Sequence, residues 1–168
     1  MTFKTPYHKA NWLAGAARLD ALLWPVQNAA TRFLEFSAME RALGIFHFVR
    51  DRIKYVRDPG GKEQFADSAV VLKRGFDDCD GKARLFAALI YASEHLDPVG
   101  LEVELVPVFP MPDVFSHVTA RVRWPKSHLF KGASPDGWLR AETILKDVPL
   151  GAGSEKAQRG PDGKIYYS

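Results

Sequence analysis

The sequence predicts an α+β fold, in which a helical part comes first and a small antiparallel sheet follows. Two patterns indicate this order. Apolar residues recur at helical spacing over most of the first 96 residues, and from Leu101 onward they alternate with polar residues at the period of a strand. The chain has 168 residues, 46% of them hydrophobic and 26% charged, which suits one soluble globular domain. We expect one domain over residues 1–150 and a glycine-rich, mobile tail over residues 151–168.

The N-terminal segment, residues 1–36, is predicted to form a helical brace for this domain. Its apolar residues keep helical spacing, but Pro25 interrupts them, so two helices should meet beside it. Ser37, with Glu40 three residues later, forms the pattern of a capping box, which predicts that the next helix begins here. That helix should end between Tyr55 and Asp58.

Two more helices are predicted before the sheet. Residues 58–61 (Asp-Pro-Gly-Gly) are typical of a turn, and a short helix from Ser68 should stop at Gly75, because glycine accepts the backbone of a helix end. A longer helix then begins near Cys79 and ends around residues 94–98. It is apolar nearly all round, which predicts that it lies in the centre of the domain.

Three strands should follow these helices. Residues 101–109 and 115–124 alternate apolar and polar side chains, and the turn between them predicts an antiparallel pair. A loop rich in glycine, proline, serine and lysine comes next. Residues 138–145 are predicted as the third strand.

Charge and cysteine content exclude several classes of function. The net charge is +3 and the basic residues are scattered, so nucleic-acid binding is not indicated. A single cysteine excludes an internal disulfide and a multi-cysteine zinc site, and we expect no cofactor and no metal. The first residues lack the apolar core of a signal peptide, and no stretch is long enough to span a bilayer. These observations predict a reducing, cytoplasmic setting without a nucleic-acid or membrane partner.

The lone cysteine, Cys79, is the first candidate for chemistry. Asp77 or Asp78 can cap the helix that begins here, which places Cys79 in the first turn, where the helix dipole lowers the pKa of a thiol. A thiolate at a helix N-terminus is what a cysteine nucleophile needs. The neighbouring aspartates act in the opposite direction and raise the thiol pKa. A buried structural cysteine is the alternative, but such cysteines seldom lie among three aspartates.

A calcium site at the same position is excluded by its register. Asp78 and Asp80, followed by Gly81, match part of a calcium-binding loop. In that alignment the first and last ligand positions fall on Phe76 and Ala87, so both anchoring carboxylates are missing.

Cysteine, histidine and a carboxylate follow one another along the chain in three short segments. These are residues 75–80 (Gly-Phe-Asp-Asp-Cys-Asp), residues 116–118 (Ser-His-Val) and residues 137–143 (Gly-Trp-Leu-Arg-Ala-Glu-Thr). They resemble the start of the cysteine helix, the histidine strand and the strand that ends in an acid in the transglutaminase-like cysteine hydrolases, in particular their small bacterial and phage-type members. Residues 53–58 are similar to the segment before the cysteine of that family. The resemblance covers roughly residues 45–147 and implies a papain-like, transglutaminase-type core.

This resemblance implies a triad in which Cys79 is the nucleophile, His117 the general base and Glu142 the group that orients His117. The chemistry of these residue types is suitable, since imidazole titrates near neutrality and a carboxylate can fix its tautomer. The third member in the family is usually Asp. Asp136 and Asp147, which flank the same strand, are therefore alternatives to Glu142.

The implied activity is acyl transfer through a thioester. The substrate would be a protein or peptide, cleaved at a peptide or isopeptide bond or modified at a glutamine side chain. Hydrolysis is slightly favoured, because a small open domain does little to exclude water. The alternative is a non-catalytic binding or virion-associated module that keeps the fold.

Three arginines share strand faces with the predicted triad, namely Arg121, Arg123 and Arg140. Guanidinium groups bind carboxylates in bidentate fashion, so these residues could select acidic segments of a substrate. The other possibility is that they pair with Glu102 and Glu104 on the neighbouring strand and bind nothing else.

Overall fold

The computed structural model describes residues 1–168 and shows an α+β fold. The five α-helices are α1 (Pro6–Asp20), α2 (Trp24–Ala30), α3 (Ala38–Arg52), α4 (Ser68–Arg74) and α5 (Cys79–Leu96). The seven strands are β1 (Lys54–Tyr55), β2 (Phe76–Asp77), β3 (Glu102–Val108), β4 (His117–Arg123), β5 (Leu139–Ala141), β6 (Ala157–Arg159) and β7 (Ile165–Tyr167).

The strands form one curved sheet of five and a separate pair. In the larger sheet the order is β5-β4-β3-β7-β6, with β3 and β4 antiparallel over their whole length and β3 and β7 parallel. Val108, at the end of β3, faces His117, at the start of β4, and pairs on its other side with Tyr167. The small parallel pair of β1 and β2 lies directly before Cys79 and fixes the chain that leads into α5.

Helix α5 is the centre of the fold, as its apolar sequence predicts. Every residue from Asp80 to Ile90 is buried, because α1 to α4 surround it on one side and β3 and β4 cover the other. No helix in the structure is both long and apolar enough to cross a lipid bilayer.

The predicted helix boundaries are confirmed where local chemistry sets them. Pro25 lies in the first turn of α2, so α1 and α2 are separate helices. The Ser37 side chain accepts a bond from the backbone N–H of Glu40, whose carboxylate accepts a bond from the Ser37 backbone in return. Helix α4 ends at Gly75, which has a φ of 75°.

A buried ion pair joins the first helix to the central one. Arg84 Nε and Nη2 donate to the two carboxylate oxygens of Asp20 at 2.7 and 2.8 Å. Ser68 donates from its backbone N and its Oγ to the same carboxylate. Because the buried carboxylate is satisfied on both oxygens, this contact ties α1 and α4 to α5 in one arrangement.

Two predictions about the C-terminal part are wrong. The third strand covers only Leu139–Ala141, and directly after it Glu142 Oε1 accepts a bond from the Ile144 backbone N–H at 3.4 Å. Residues 151–168, expected to be a tail, instead contain the hairpin of β6 and β7, which extends the sheet. Tyr167 anchors this hairpin, because its side chain is fully buried against Val106 and Val108.

Two glycine-to-alanine substitutions test how closely α5 packs at its start. A Cβ at Gly81 would lie 1.8 Å from Oδ2 of the buried Asp77, so Gly81→Ala should lower the free energy of unfolding by about 1–3 kcal/mol or more. A Cβ at Gly15, within α1, would have no atom within 4 Å, so Gly15→Ala should raise it by about 0.5–1 kcal/mol. Chemical denaturation measures both changes. An equal effect of the two substitutions would contradict the packing described for α5.

Candidate active site

The start of α5 lies beside the start of β4 and the end of β5. Two observations establish this neighbourhood. Lys9 Nζ lies 2.6 Å from Oδ2 of Asp80, the second residue of α5, and 5.6 Å from the ring centre of Phe115, just before β4. Burial lowers the pKa of Lys82, one turn into α5, and the nearby carboxylate of Glu142 is among the charges that oppose this. Lys9 therefore neighbours both Asp80 and the segment before β4, and His117 contacts Glu142, but no hydrogen bond joins Cys79 to either of these two residues.

Cys79 is the first residue of α5, and Asp78 is the residue that caps the helix. Asp78 Oδ1 accepts a bond from the Gly81 backbone N–H at 3.0 Å. The partly buried Cys79 Sγ lies 3.8 Å from Asp80 Oδ1, which is its hydrogen-bond partner. The backbone N–H of Cys79 donates no hydrogen bond within the protein, so it remains available to a ligand.

The expectation of a lowered thiol pKa is not met. Burial raises the pKa of the Cys79 thiol well above its ordinary value, and the carboxylates of Asp80 and Asp78 raise it further. The positive charge of Lys9 acts in the opposite direction but is outweighed. Cys79 therefore rests as a neutral thiol that donates its proton toward Asp80.

His117 begins β4 and lies between the sheet and the solvent, with its side chain 12% exposed. Its Nε2 is 3.3 Å from Oε2 of Glu142. Its Nδ1 is buried and has no hydrogen-bond partner. Burial lowers the pKa of His117 below 6.5, although Glu142 and the Val118 backbone oppose this, so the ring is neutral at pH 7.

Glu142 is the carboxylate that contacts His117, and neither of the alternative aspartates takes this position. Its Oε2 also accepts a bond from Arg140 Nη2 at 3.2 Å, so the buried carboxylate is held from two sides. Asp136 instead accepts a bond from the Ser134 hydroxyl. Asp147 acts on Arg50, the guanidinium whose pKa is raised mainly by its bond to Asp51.

The structure does not join Cys79 to His117 by a hydrogen bond. Cys79 Sγ contacts Asp80, and the unpartnered atom of His117 is Nδ1. The acidic partner is preferred in this resting arrangement, because a carboxylate is a stronger acceptor for a thiol proton than a neutral ring nitrogen. In this arrangement no hydrogen bond connects the thiol of Cys79 to the imidazole of His117.

The arginines are engaged in the structure, which removes the idea that they select acidic substrates. Arg121 Nη2 lies 2.5 Å from Glu104, and Arg123 Nη2 lies 2.7 Å from Glu102, each across the β3–β4 pair. Both guanidinium groups also stack on the ring of Trp138, and Arg140 pairs with Glu142. The cross-strand alternative is confirmed for Arg121 and Arg123, whereas Arg140 pairs with Glu142 instead.

The cluster around Cys79 also has the donor types of a metal site. Ligand atoms of Asp78, Cys79 and Asp80 all lie within 4.8 Å of one another. However, Asp78 is used to cap α5 and Asp80 is paired with Lys9. These oxygens therefore have partners of their own, and the cluster is explained without a metal.

Lys9 and Glu63 belong to the site, although sequence reasoning missed both. Lys9 is 6% exposed, contacts Asp80 and Glu63 through its ammonium group, and lies between the rings of Phe65 and Phe115. Nothing in the local sequence could reveal this, because the partners of Lys9 are more than 50 residues away along the chain.

Five surface cavities are lined by residues other than Cys79, His117 and Glu142. One of them has a volume of about 310 Å³ and is lined by the N-terminal residues, Lys9, Glu63 and Phe115. Lys9, which contacts Asp80, connects this cavity to the start of α5.

Comparisons with known proteins gave no match: no family model, no curated protein and no solved structure is similar to the chain.

Substitutions at Asp78 separate its capping role from its charge. Burial raises the pKa of Asp78 from 3.8 to about 6, and Asp80 adds to this. The folded state therefore binds more protons than the unfolded state in this range, and wild type loses stability as pH rises through it. Asp78→Asn keeps the cap without the charge, so its stability advantage over wild type should grow across this range.

Asp78→Ala is the control for the cap. It removes both the charge and the hydrogen bond to Gly81, so it should be less stable than Asp78→Asn by about 1 kcal/mol. Denaturant unfolding at several pH values measures both differences. A constant difference between Asp78→Asn and wild type from pH 3.8 to about 6 would contradict the raised pKa.

Proposed function

We propose that this protein is a cysteine-dependent acyl-transfer enzyme that acts on amide groups of proteins or peptides through a thioester. The observation that supports it most is the contact of His117 Nε2 with Glu142, which leaves Nδ1 buried and without a hydrogen-bond partner. A histidine that contacts a carboxylate on one ring nitrogen and keeps the other nitrogen free has the arrangement of a general base.

The carboxylate determines which nitrogen can act. An ionised carboxylate only accepts hydrogen bonds, so the proton of the neutral ring belongs on Nε2, which faces Glu142. Nδ1 then carries the lone pair and is free to accept the proton of the Cys79 thiol. Arg140 Nη2 donates to the same oxygen of Glu142 and holds the carboxylate in place.

Proton transfer accompanies attack in this proposal. Thiol and imidazole both rest neutral, so the thiol must turn from Asp80 to His117 when a substrate arrives. Sγ then attacks the carbonyl carbon while Nδ1 takes the thiol proton, and the backbone N–H of Cys79 binds the oxyanion. The C–N bond breaks, His117 protonates the leaving amine, and a thioester remains. Water or a second amine then resolves the thioester.

The fold is consistent with a papain-like, transglutaminase-type core. Its cysteine helix, α5, packs on β3 and β4, and the histidine and the acid follow in chain order on neighbouring strands. The hairpin of β6 and β7 extends this sheet beyond the predicted core. Hydrolysis remains the favoured outcome, because a small open domain does little to exclude water.

A non-catalytic binding or virion-associated module is the second candidate. The raised thiol pKa and the open link between Cys79 and His117 favour it, since an active nucleophile needs its base at hand. In this case the His117–Glu142–Arg140 contacts would serve only to hold the end of the sheet.

Trapping of the thioester tests the proposal directly. Wild-type protein would be incubated with an activated ester of a short peptide, and intact mass spectrometry would detect an acyl group on the chain. We expect acylation at Cys79 that is absent in Cys79→Ser and about 10²–10⁴-fold slower in His117→Ala. Glu142→Gln should also slow it, because the amide no longer fixes Nε2 as the protonated nitrogen.

The control for Glu142→Gln is Glu104→Gln. Glu104 lies on the same sheet and pairs with Arg121, but it is not a contact of His117. Cys79 in Glu104→Gln should be acylated at the wild-type rate. Acylation that is equally slow in wild type and His117→Ala would instead support the binding module.

A further inference from the structure

Three charged side chains form a chain that leads from the N-terminal helix to the thiol. Glu63 contacts the ammonium group of Lys9. Lys9 Nζ lies 2.6 Å from Asp80 Oδ2, and the other oxygen of Asp80 lies 3.8 Å from Cys79 Sγ. Lys9 belongs to α1 and Asp80 to α5, so one ion pair connects the N-terminal brace to the candidate nucleophile.

We propose that Lys9 is a positioning residue for Cys79: it binds Asp80, holds that carboxylate against the thiol and offsets its negative charge. This role rests on the proposed function of Cys79 as nucleophile. It also gives helix α1 a part in the chemistry, beyond that of a structural brace.

The surroundings of Lys9 indicate more than a surface ion pair. Its side chain is 8% exposed, and its ammonium group lies 5.7 Å from the ring centre of Phe65 and 5.6 Å from that of Phe115. Two aromatic faces and two carboxylates therefore fix the position of the charge. Burying an ammonium group is costly, so the fold retains this cation against a penalty that a surface lysine avoids.

The charges that face the thiol explain why the cation is needed. Asp78 and Asp80 both act on Cys79, and burial limits the solvent that could screen them. Lys9 is the cation that opposes the rise in the thiol pKa, and without it Asp80 would face Sγ uncompensated. Glu63 competes for Lys9, and Asp58 acts on Asp78 from the preceding loop. The reactivity of Cys79 should therefore follow the balance between Lys9 and these acids.

The test is the second-order rate of Cys79 alkylation by iodoacetamide at about pH 9, close to the ordinary thiol pKa, which needs neither a substrate nor enzyme activity. Lys9→Met should slow alkylation about tenfold for each unit by which the thiol pKa rises. Lys9→Arg keeps the charge and should stay near the wild-type rate. Cys79 should be alkylated faster in Glu63→Gln than in wild type, because Lys9 then pairs with Asp80 alone.

The Asp80→Asn background shows whether Lys9 acts through Asp80. Lys9→Met should have a smaller effect in that background, because the larger of the two negative charges that Lys9 offsets has been removed and only that of Asp78 remains. An undiminished effect there, or an unchanged rate in Lys9→Met itself, would overturn the proposal. Failure of thioester formation would not affect this readout, so the two proposals can fail separately.

Lys164→Met is the matched control for a general effect of losing a lysine. Lys164 lies over the ring of Tyr7 in the same region but pairs with no acid within 4 Å. Cys79 should be alkylated in Lys164→Met at the same rate as in wild type. Circular dichroism and thermal unfolding identify any variant that fails to fold. If Lys9→Met does not fold, the rates of Lys9→Arg and Glu63→Gln still decide the proposal.

Discussion

The contact between His117 and Glu142 is the interaction on which the proposed chemistry of this site depends. An ionised carboxylate can only accept hydrogen bonds, so it favours the ring proton on Nε2, the nitrogen that it contacts. Arg140 Nη2 donates to the same oxygen, Oε2, and the Ile144 backbone N–H donates to Oε1, so the direction of the carboxylate is fixed. Strand β5 ends at Ala141, directly before this residue.

The carboxylates at and near the start of α5 are paired with cations, with one exception. Asp77 is paired with Arg74 at 2.5 Å, Asp80 with Lys9 and Glu142 with Arg140. Asp78 has no cation within 4 Å, and burial raises its pKa although the bond from the Gly81 backbone N–H opposes this. Burial and the neighbouring carboxylates make the Cys79 thiol a poor acid, so the proposed nucleophile needs activation by an arriving substrate.

Local patterns in the sequence were enough to predict much of the fold and part of the site. The capping box at Ser37, the break at Pro25 and the stop at Gly75 act over a few residues, and each is present. The contact of Glu142 with His117 was implied by the family resemblance of residues 116–118 and 137–143. The place of Lys9 in the site could not be found in this way, because its partners Glu63 and Asp80 are brought to it only by the tertiary fold. The β6–β7 hairpin was missed because its strands are short and Tyr167 is buried through a parallel contact with distant β3.

The role of Glu142 is tested most directly by the ¹⁵N chemical shifts of the His117 ring, measured by NMR against pH in wild type and Glu142→Gln. We predict a neutral ring at pH 7 with the proton on Nε2, a bare Nδ1 and a pKa below 6.5 in wild type. The preference for one tautomer should weaken in Glu142→Gln. A proton on Nδ1 at pH 7 in wild type, or an unchanged tautomer in Glu142→Gln, would contradict the role given to Glu142 and with it the general base.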